Sequence, residues 1–122
     1  MIAYTTIGTA DIEKAKTFYL SLLQDLGVSV FIDAGRLAAL GSPSGGPMLA
    51  VCTPHKGEAP SPGNGNMVAI SAGSKELVDK LHAKALKLGG TDEGAPGQRM
   101  DSFYGGYFRD PDGNKICFCH FG

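Results

Sequence analysis

The chain has 122 residues, and 11 Lys and Arg against 12 Asp and Glu give it a formal net charge of −1. This balance disfavours a nucleic-acid partner, because a protein that displaces counterions from phosphates needs a surplus of basic side chains. Hydrophobic residues make up 43% of the chain, which is enough for one compact core. No apolar run approaches the ~20 residues of a membrane span, so no membrane partner is expected.

The N-terminus and the cysteines bear on where the protein is found. The opening residues lack the basic region and the long apolar stretch of a signal peptide. The chain has 3 cysteines, an odd number that argues against a disulfide scaffold. We therefore expect a single-domain cytoplasmic protein.

The first half of the chain predicts the element order β-α-β-β-β. Apolar residues recur at helical spacing from Ile12 to Leu26, Thr9 or Asp11 can cap this helix, and Gly27 ends it. Segments rich in β-branched and aromatic residues predict the strands. The predicted strands of this half are Ile2–Gly8, Val28–Asp33, Leu37–Leu40 and Met48–Thr53.

The second half repeats this order after Pro54–Asn66, a Pro- and Gly-rich segment that is either a flexible hinge or an ordered loop beside a site. A helix is predicted from its cap at Ser74 to Gly89, followed by a loop that contains Arg99. The predicted strands are Met67–Ser71, Phe103–Arg109 and Asn114–His120, and a further strand in the middle is uncertain.

The two halves correspond by nearly constant offsets. An offset of 63 relates Tyr4 to Met67 and Gly27 to Gly90, and an offset of 67 relates Ala50 to Cys117. We infer an internal duplication. The prediction is one domain, residues 1–122, made of two modules (about 1–53 and 67–122) joined by the linker 54–66.

Two motifs carry a resemblance to a known family. The segment D-I-E-K-A-K-T-F-Y begins at Asp11, and D-P-D-G-N spans Asp110 to Asn114. With the strands around them they resemble the vicinal oxygen chelate superfamily, which includes lactoylglutathione lyase (glyoxalase), extradiol dioxygenases and bleomycin- and fosfomycin-resistance proteins. The resemblance covers essentially the whole chain. It implies an α+β fold in which two β-α-β-β-β modules form a cupped mixed sheet with helices on the outer face, and it implies a homodimer.

Metal-dependent members of that superfamily place a His or Glu ligand on the first and last strand of each module. The matching positions here are Tyr4, Ala50, Met67 and Cys117. Of these only Cys117, as a thiolate, is a strong ligand. We therefore predict that the usual metal centre is missing and expect no cofactor, although a divalent metal is not excluded.

Strand alternation predicts which side chains share a face with those four positions. Side chains at i and i+2 point the same way, so Thr6, Cys52, Ala69 and Cys119 join the set. The alternate residues are apolar and are expected to pack under the helices. Cys117 is a weak catalytic candidate, because a cysteine nucleophile needs a base to lower its pKa and His55, His82 and His120 are not convincingly placed for this. His82 is expected to be exposed. Buried, inert cysteines are the alternative.

Other candidates for ligand binding lie near the end of the chain. Arg36, Arg99 and Arg109 are each able to bind a carboxylate through the guanidinium. Tyr104 and Tyr107 flank Gly105-Gly106 and form either an aromatic wall for a ligand or ordinary strand packing.

Two functions remain open from the sequence. The first is a metal-free protein that binds a small molecule. The second is an enzyme resembling lactoylglutathione lyase or a related one, using displaced metal ligands or a cysteine. The predicted ligand-binding residues are Tyr4, Thr6, Ala50, Cys52, Met67, Arg99, Tyr104, Tyr107, Cys117 and Cys119.

Overall fold

The computed structural model describes all residues from 1 to 122, and the chain divides into two compact units, Met1–Pro62 and Gly63–Gly122. Each unit contains one α-helix and one four-stranded mixed sheet, which confirms the predicted α+β class. The division falls within the segment 54–66. Neither helix has the length and apolar character that crossing a membrane requires.

The elements follow the predicted order in both units. Unit 1 contains β1 (Tyr4–Gly8), α1 (Ile12–Leu22), β2 (Ser29–Asp33), β3 (Leu37–Gly41) and β4 (Met48–Cys52). Unit 2 contains β5 (Val68–Ser71), α2 (Lys75–Lys87), β6 (Thr91–Met100), β7 (Phe103–Arg109) and β8 (Lys115–His120).

The two sheets have the same topology. The strand orders are β1-β4-β3-β2 and β5-β8-β7-β6, and in each the first strand of the unit pairs in parallel with the last. The register repeats as well, since Thr6 lies opposite Ala50 in unit 1 and Ala69 lies opposite Cys117 in unit 2. The offsets of 63 and 67 carry one pair onto the other, which is what an internal duplication predicts.

Local sequence explains where both helices begin and end. The side chain of Asp11 accepts a hydrogen bond from Lys14 N, and that of Ser74 accepts one from Leu77 N. Helix α1 ends at Leu22, earlier than predicted, and the chain continues as a 3-10 turn over Gln24–Leu26. Gly27 closes this turn with φ 71°, a left-handed conformation that glycine adopts without strain.

Each helix packs against one face of the sheet in its own unit. The apolar side of α1 buries Phe18, Tyr19 and Leu22, and that of α2 buries Val78 and Leu81. We call the face opposite the helix the open face of each unit. Seven alternate residues are predicted to pack under the helices. Five of them are buried (Ile7, Leu49, Val51, Ile116 and Phe118), and Val68 and Ile70 on β5 are half-buried.

His82 is buried, so the prediction that it is exposed is wrong. Its Nε2 lies 2.9 Å from the carbonyl oxygen of Tyr107 and 3.2 Å from Oδ1 of Asp92. A Cβ atom at Gly106 would lie 3.2 Å from the His82 ring, so the absence of a side chain there leaves room for the imidazole between helix and sheet. The burial of this polar helix residue thus depends on a glycine 24 positions further along the chain, which leaves space for the imidazole.

The segment predicted as a loop after α2 is mostly the edge strand β6, which places Arg99 on a strand. Its composition is typical of a loop because it contains Gly94, Pro96 and Gly97. Pairing with β7 is interrupted by three register shifts, and an edge strand tolerates such irregularities and a proline. The uncertain middle strand of the second module therefore exists.

The D-P-D-G-N motif forms a hydrogen-bonded turn around a buried carboxylate. Oδ1 of Asp110 accepts bonds from the backbone N–H groups of Asp112 and Asn114, at 3.0 and 2.9 Å. Its Oδ2 accepts a bond from the Asn114 side chain at 3.0 Å. Asp110 and Asn114 are both buried, so the carboxylate satisfies donors that water does not reach.

We expect Asp110→Ala to destabilise the protein by about 2–3 kcal/mol, because it leaves buried donors without an acceptor. Asp101→Ala is the matched control, since Asp101 is exposed and only its backbone carbonyl forms a hydrogen bond. Urea denaturation followed by circular dichroism measures both free energies of unfolding. Equal stability of the two variants would contradict the role assigned to Asp110.

Candidate functional site

The open face of unit 1 has a floor of small side chains. Ala50 on β4 lies between Thr6 on β1 and Ala39 on β3, and both alanines are buried. Tyr4 and Thr6 on β1 are exposed, with Tyr4 at 54%. The central alanines are therefore covered, and the accessible surface of this face lies at Tyr4 and Thr6.

Two further features border this face. A Cβ atom at Gly41 would lie 3.2 Å from the Met48 side chain and 3.3 Å from the Phe31 ring, so these two side chains approach one another over the glycine. At the other margin, Cys52 is half-buried opposite Gly8. Pro60 packs against Gly8, which shows that this part of the predicted linker returns to the sheet of unit 1.

The open face of unit 2 carries two of the three cysteines. Cys117 lies between Ala69 and Tyr107, and Cys119 lies opposite Gly105. A Cβ atom at Gly105 would lie 2.9 Å from the Phe103 ring and 3.4 Å from Sγ of Cys117. Phe103 therefore packs over the glycine, and Cys117 is fully buried.

Burial determines the chemistry of these thiols. It raises the pKa of Cys117 to about 11, with a smaller increase from the nearby Cys119, and it also raises the pKa of Cys119. The Cys117 thiol donates to the carbonyl oxygen of Phe118 at 3.5 Å, and no cysteine forms a disulfide. Cys117 is therefore protonated at neutral pH. His55, a candidate base in the sequence, lies near Cys52 in unit 1 and is exposed. This environment is that of a structural cysteine rather than of an activated nucleophile.

The two tyrosines proposed as an aromatic wall lie on opposite faces of β7. Tyr107 shares the open face with Cys117, its partner in the pairing of β7 with β8. Tyr104 lies on the helix-covered face, where its hydroxyl donates to Asp79 Oδ1 at 2.6 Å and Lys75 lies 5.7 Å from the ring centroid. The hydrogen bond to the Asp79 carboxylate raises the pKa of Tyr104. Only Tyr107 is placed beside the other candidates of this unit.

Two basic side chains flank the Tyr107 ring. The Arg99 guanidinium carbon lies 5.3 Å from the ring centroid, and Lys115 Nζ lies 5.6 Å from it. Lys115 is absent from the residues predicted from the sequence, although it precedes Cys117 by two positions and alternation alone places it on this face. The other two arginines have different roles. Arg36 donates to the Thr53 carbonyl, and Arg109 pairs with Glu93.

Comparison with known proteins agrees with this architecture. A family model described as "Glyoxalase/Bleomycin resistance protein/Dioxygenase superfamily" matches residues 1–118. The chain belongs to this superfamily. A glyoxalase/bleomycin resistance protein from Albidiferax ferrireducens T118 is 36% identical, with a TM-score of 0.90 and coverage of 100% of this chain and 99% of the other.

More distant superfamily structures share the fold. A glyoxalase/bleomycin resistance protein/dioxygenase family enzyme from Burkholderia phytofirmans PsJN is 22% identical, with a TM-score of 0.81 and coverage of 98% of both chains. A glyoxalase-related enzyme from Fulvimarina pelagi is 19% identical, with a TM-score of 0.77 and coverage of 98% of this chain and 86% of the other. A comparison with curated proteins gives no match.

The residues at the four positions that the sequence resemblance matches to metal ligands do not fit a divalent metal. Unit 1 offers Tyr4 and the apolar Ala50, and unit 2 offers the thioether of Met67 and the protonated thiol of Cys117. Hard divalent cations require oxygen ligands, and Zn²⁺ or Ni²⁺ sites use imidazole, carboxylate or thiolate. No group of three or more His, Cys, Asp or Glu side chains is placed to hold an ion.

We expect Cys117 to react slowly with iodoacetamide in the native protein. Because its pKa is about 11 instead of the ordinary 9.0, its thiolate fraction at neutral pH is about a hundredfold smaller than that of a free thiol, and its labelling rate should keep rising until the pH approaches 11. Mass spectrometry of tryptic peptides measures each site separately, with the half-buried Cys52 as internal reference. Labelling of Cys117 at neutral pH as fast as in the urea-unfolded chain would contradict this prediction.

Proposed function

We propose that this protein is a member of the glyoxalase/bleomycin resistance superfamily that binds a small organic molecule on the open faces of its sheets, without a divalent metal. The main observation behind this proposal is the chemistry of the four residues at the expected metal-ligand positions. Tyr4, Ala50, Met67 and Cys117 replace metal donors with apolar or neutral groups. A surface of this composition suits the apolar body of a ligand better than a hydrated cation.

Exposed side chains on both faces support this proposal. In unit 1, Tyr4 is 54% exposed and Thr6 is exposed. In unit 2, Ala69 is exposed and Met67 is 43% exposed. Flat or aromatic ligand bodies bury the most apolar area against such surfaces, and each Å² removed from water contributes roughly 25 cal/mol.

The enzymatic alternative has no comparable support. A cysteine mechanism requires a thiolate, and burial keeps Cys117 protonated at neutral pH. A displaced metal centre requires a cluster of donor side chains on an open face, and neither sheet places one there. We therefore propose binding rather than catalysis.

The first test blocks an open face with a large side chain. We expect Ala69→Trp to weaken binding of the uncharged fluorescent dye N-phenyl-1-naphthylamine by about tenfold or more, because the indole occupies apolar surface that the dye would cover. Ala83→Trp is the matched control, since Ala83 is also exposed but lies on α2. Fluorescence titration measures both affinities.

The outcomes of this titration separate the possibilities. Unchanged dye binding by Ala69→Trp excludes the open face of unit 2 as the site, and Thr6→Trp then tests unit 1 in the same way. If the protein binds neither this dye nor the anionic dye 1-anilinonaphthalene-8-sulfonate in a saturable manner, the proposed function is contradicted.

The second test concerns the metal. We expect the purified protein, after incubation with Zn²⁺, Ni²⁺ or Mn²⁺ and dialysis, to retain well below one ion per chain, because its ligand positions lack suitable donors. Inductively coupled plasma mass spectrometry measures the ratio. A stoichiometric ion that remains after dialysis would contradict metal-free binding and favour the lyase-like alternative.

We further propose that the protein forms a homodimer. Strand β2 exposes Val30, Phe31 and Ile32, an apolar run at the edge of the sheet in unit 1. Exposed apolar strands at sheet edges are common contact surfaces between chains. Size-exclusion chromatography with light scattering should show twice the chain mass of 12.7 kDa, and a single species at the monomer mass would contradict the dimer.

A further inference from the structure

We propose that Arg99, Tyr107 and Lys115 form an anion-binding subsite on the open face of unit 2. It takes the acidic group of an organic acid, a carboxylate or sulfonate, while the apolar part of the same molecule lies against the Tyr107 ring and its neighbours. The inference rests on the proposed function, and it adds the charge and chemical class of the ligand.

Three adjacent strands bring the subsite together. Tyr107 on β7 lies opposite Cys117, and Lys115 precedes Cys117 by two residues on β8, so its side chain lies diagonally beside the tyrosine. On the other side, Gly94 of β6 lies opposite Tyr107. A Cβ atom at Gly94 would lie 3.1 Å from the Tyr107 ring and 3.5 Å from Nη2 of Arg99, so the glycine allows the guanidinium to approach the ring.

The charges of this subsite are not compensated within the chain. The carboxylate of Glu93 pairs with Arg109, and that of Asp92 lies beside the His82 imidazole, whereas Arg99 and Lys115 have no carboxylate partner. The Tyr107 ring attracts both cations through its quadrupole but does not neutralise them. Two positive side chains around one ring, in a protein of net charge −1, are a local excess that an anion would compensate.

The guanidinium is held in place. Nη2 of Arg99 donates to the carbonyl oxygen of Ala95, four residues earlier on the same irregular strand. An arginine has five N–H donors, so others remain for an oxyanion, and its planar arrangement matches the two oxygens of a carboxylate. Lys115 adds a point charge from β8, on the other side of β7. Pre-positioning one donor in this way lowers the entropic cost of binding.

The neighbouring groups favour an organic acid over an inorganic ion. Tyr107 and Phe103 are partly exposed on the same face. Their rings offer contact area to an aromatic or aliphatic body attached to the acidic group, which an inorganic ion lacks. The absence of a broader basic surface disfavours a polyanion such as nucleic acid.

Two dyes that differ in one group test the subsite. 1-Anilinonaphthalene-8-sulfonate carries a sulfonate, and N-phenyl-1-naphthylamine is the same ring system without it. We expect the double variant Arg99→Gln/Lys115→Gln to lose about tenfold or more in affinity for the sulfonate dye, as expected for lost charge-assisted hydrogen bonds, and less than about twofold for the neutral dye. Arg36→Gln/Lys87→Gln is the control that removes the same net charge outside unit 2's open face.

Salt gives a second measurement that needs no variant. Raising the ionic strength should weaken binding of the sulfonate dye by the wild-type protein and leave the neutral dye unaffected, because only the former involves an ionic contact. Circular dichroism establishes that every variant is folded before it is titrated.

Several results would overturn the proposal, and they are distinguishable from one another. If the double variant binds both dyes more weakly by the same factor, the substitutions have altered the shape of the site rather than its recognition of charge. Unchanged binding of the sulfonate dye, or an equal loss in the Arg36→Gln/Lys87→Gln control, means that the subsite does not recognise the anion. If the wild type binds only the neutral dye, the subsite fails and the proposed function stands. If it binds neither, both fail.

Discussion

The parallel pairing of the first and last strand in each unit is the constraint on which the rest of the structure depends. Strands β1 and β4, like β5 and β8, run in the same direction, so the chain cannot connect them by a tight turn and must travel through a helix and two further strands. The helix covers one face of the sheet. Strand alternation then determines which residues are left on the other face, and every candidate for binding follows from that choice.

The consequence is clearest in unit 2, where one residue in two on β8 reaches the open face. Lys115, Cys117 and Cys119 share that face, whereas Ile116 and Phe118 are buried under α2. On the open face Cys117 and Cys119 are buried, whereas Lys115 at the end of the same strand is partly exposed. Burial raises the pKa of both thiols, and the lysine retains contact with solvent.

Much of this arrangement is predictable from the sequence because it depends on periodicity. The cap at Asp11, the helical spacing that buries Tyr19 and the alternation that places Cys117 and Cys119 together are all local patterns, and the structure agrees with them. The repeat offsets carry the pairing of Thr6 with Ala50 onto that of Ala69 with Cys117. These patterns can be read from the sequence because each depends only on residues that are close together in the chain.

The features that sequence analysis missed depend on residues far apart in the chain. His82 is buried because Gly106 has no side chain, and Arg99 reaches Tyr107 because Gly94 has none. The separation of Tyr104 from Tyr107 is an exception, because it follows from local alternation: three positions along a strand reverse the face. The Tyr104 hydroxyl therefore reaches Asp79 on the helix-covered face. Strand β6 was missed because an edge strand has one hydrogen-bonded neighbour and is free to contain loop-like residues.

The proline within β6 has a consequence for how the molecule behaves among copies of itself. Pro96 carries no N–H, and the strand around it is interrupted by register shifts. A foreign strand that approached this edge would therefore find an incomplete row of donors and could not extend the sheet over its length. The same irregularity that gives β6 a loop-like sequence thus disfavours aggregation by strand addition at this edge of the second sheet.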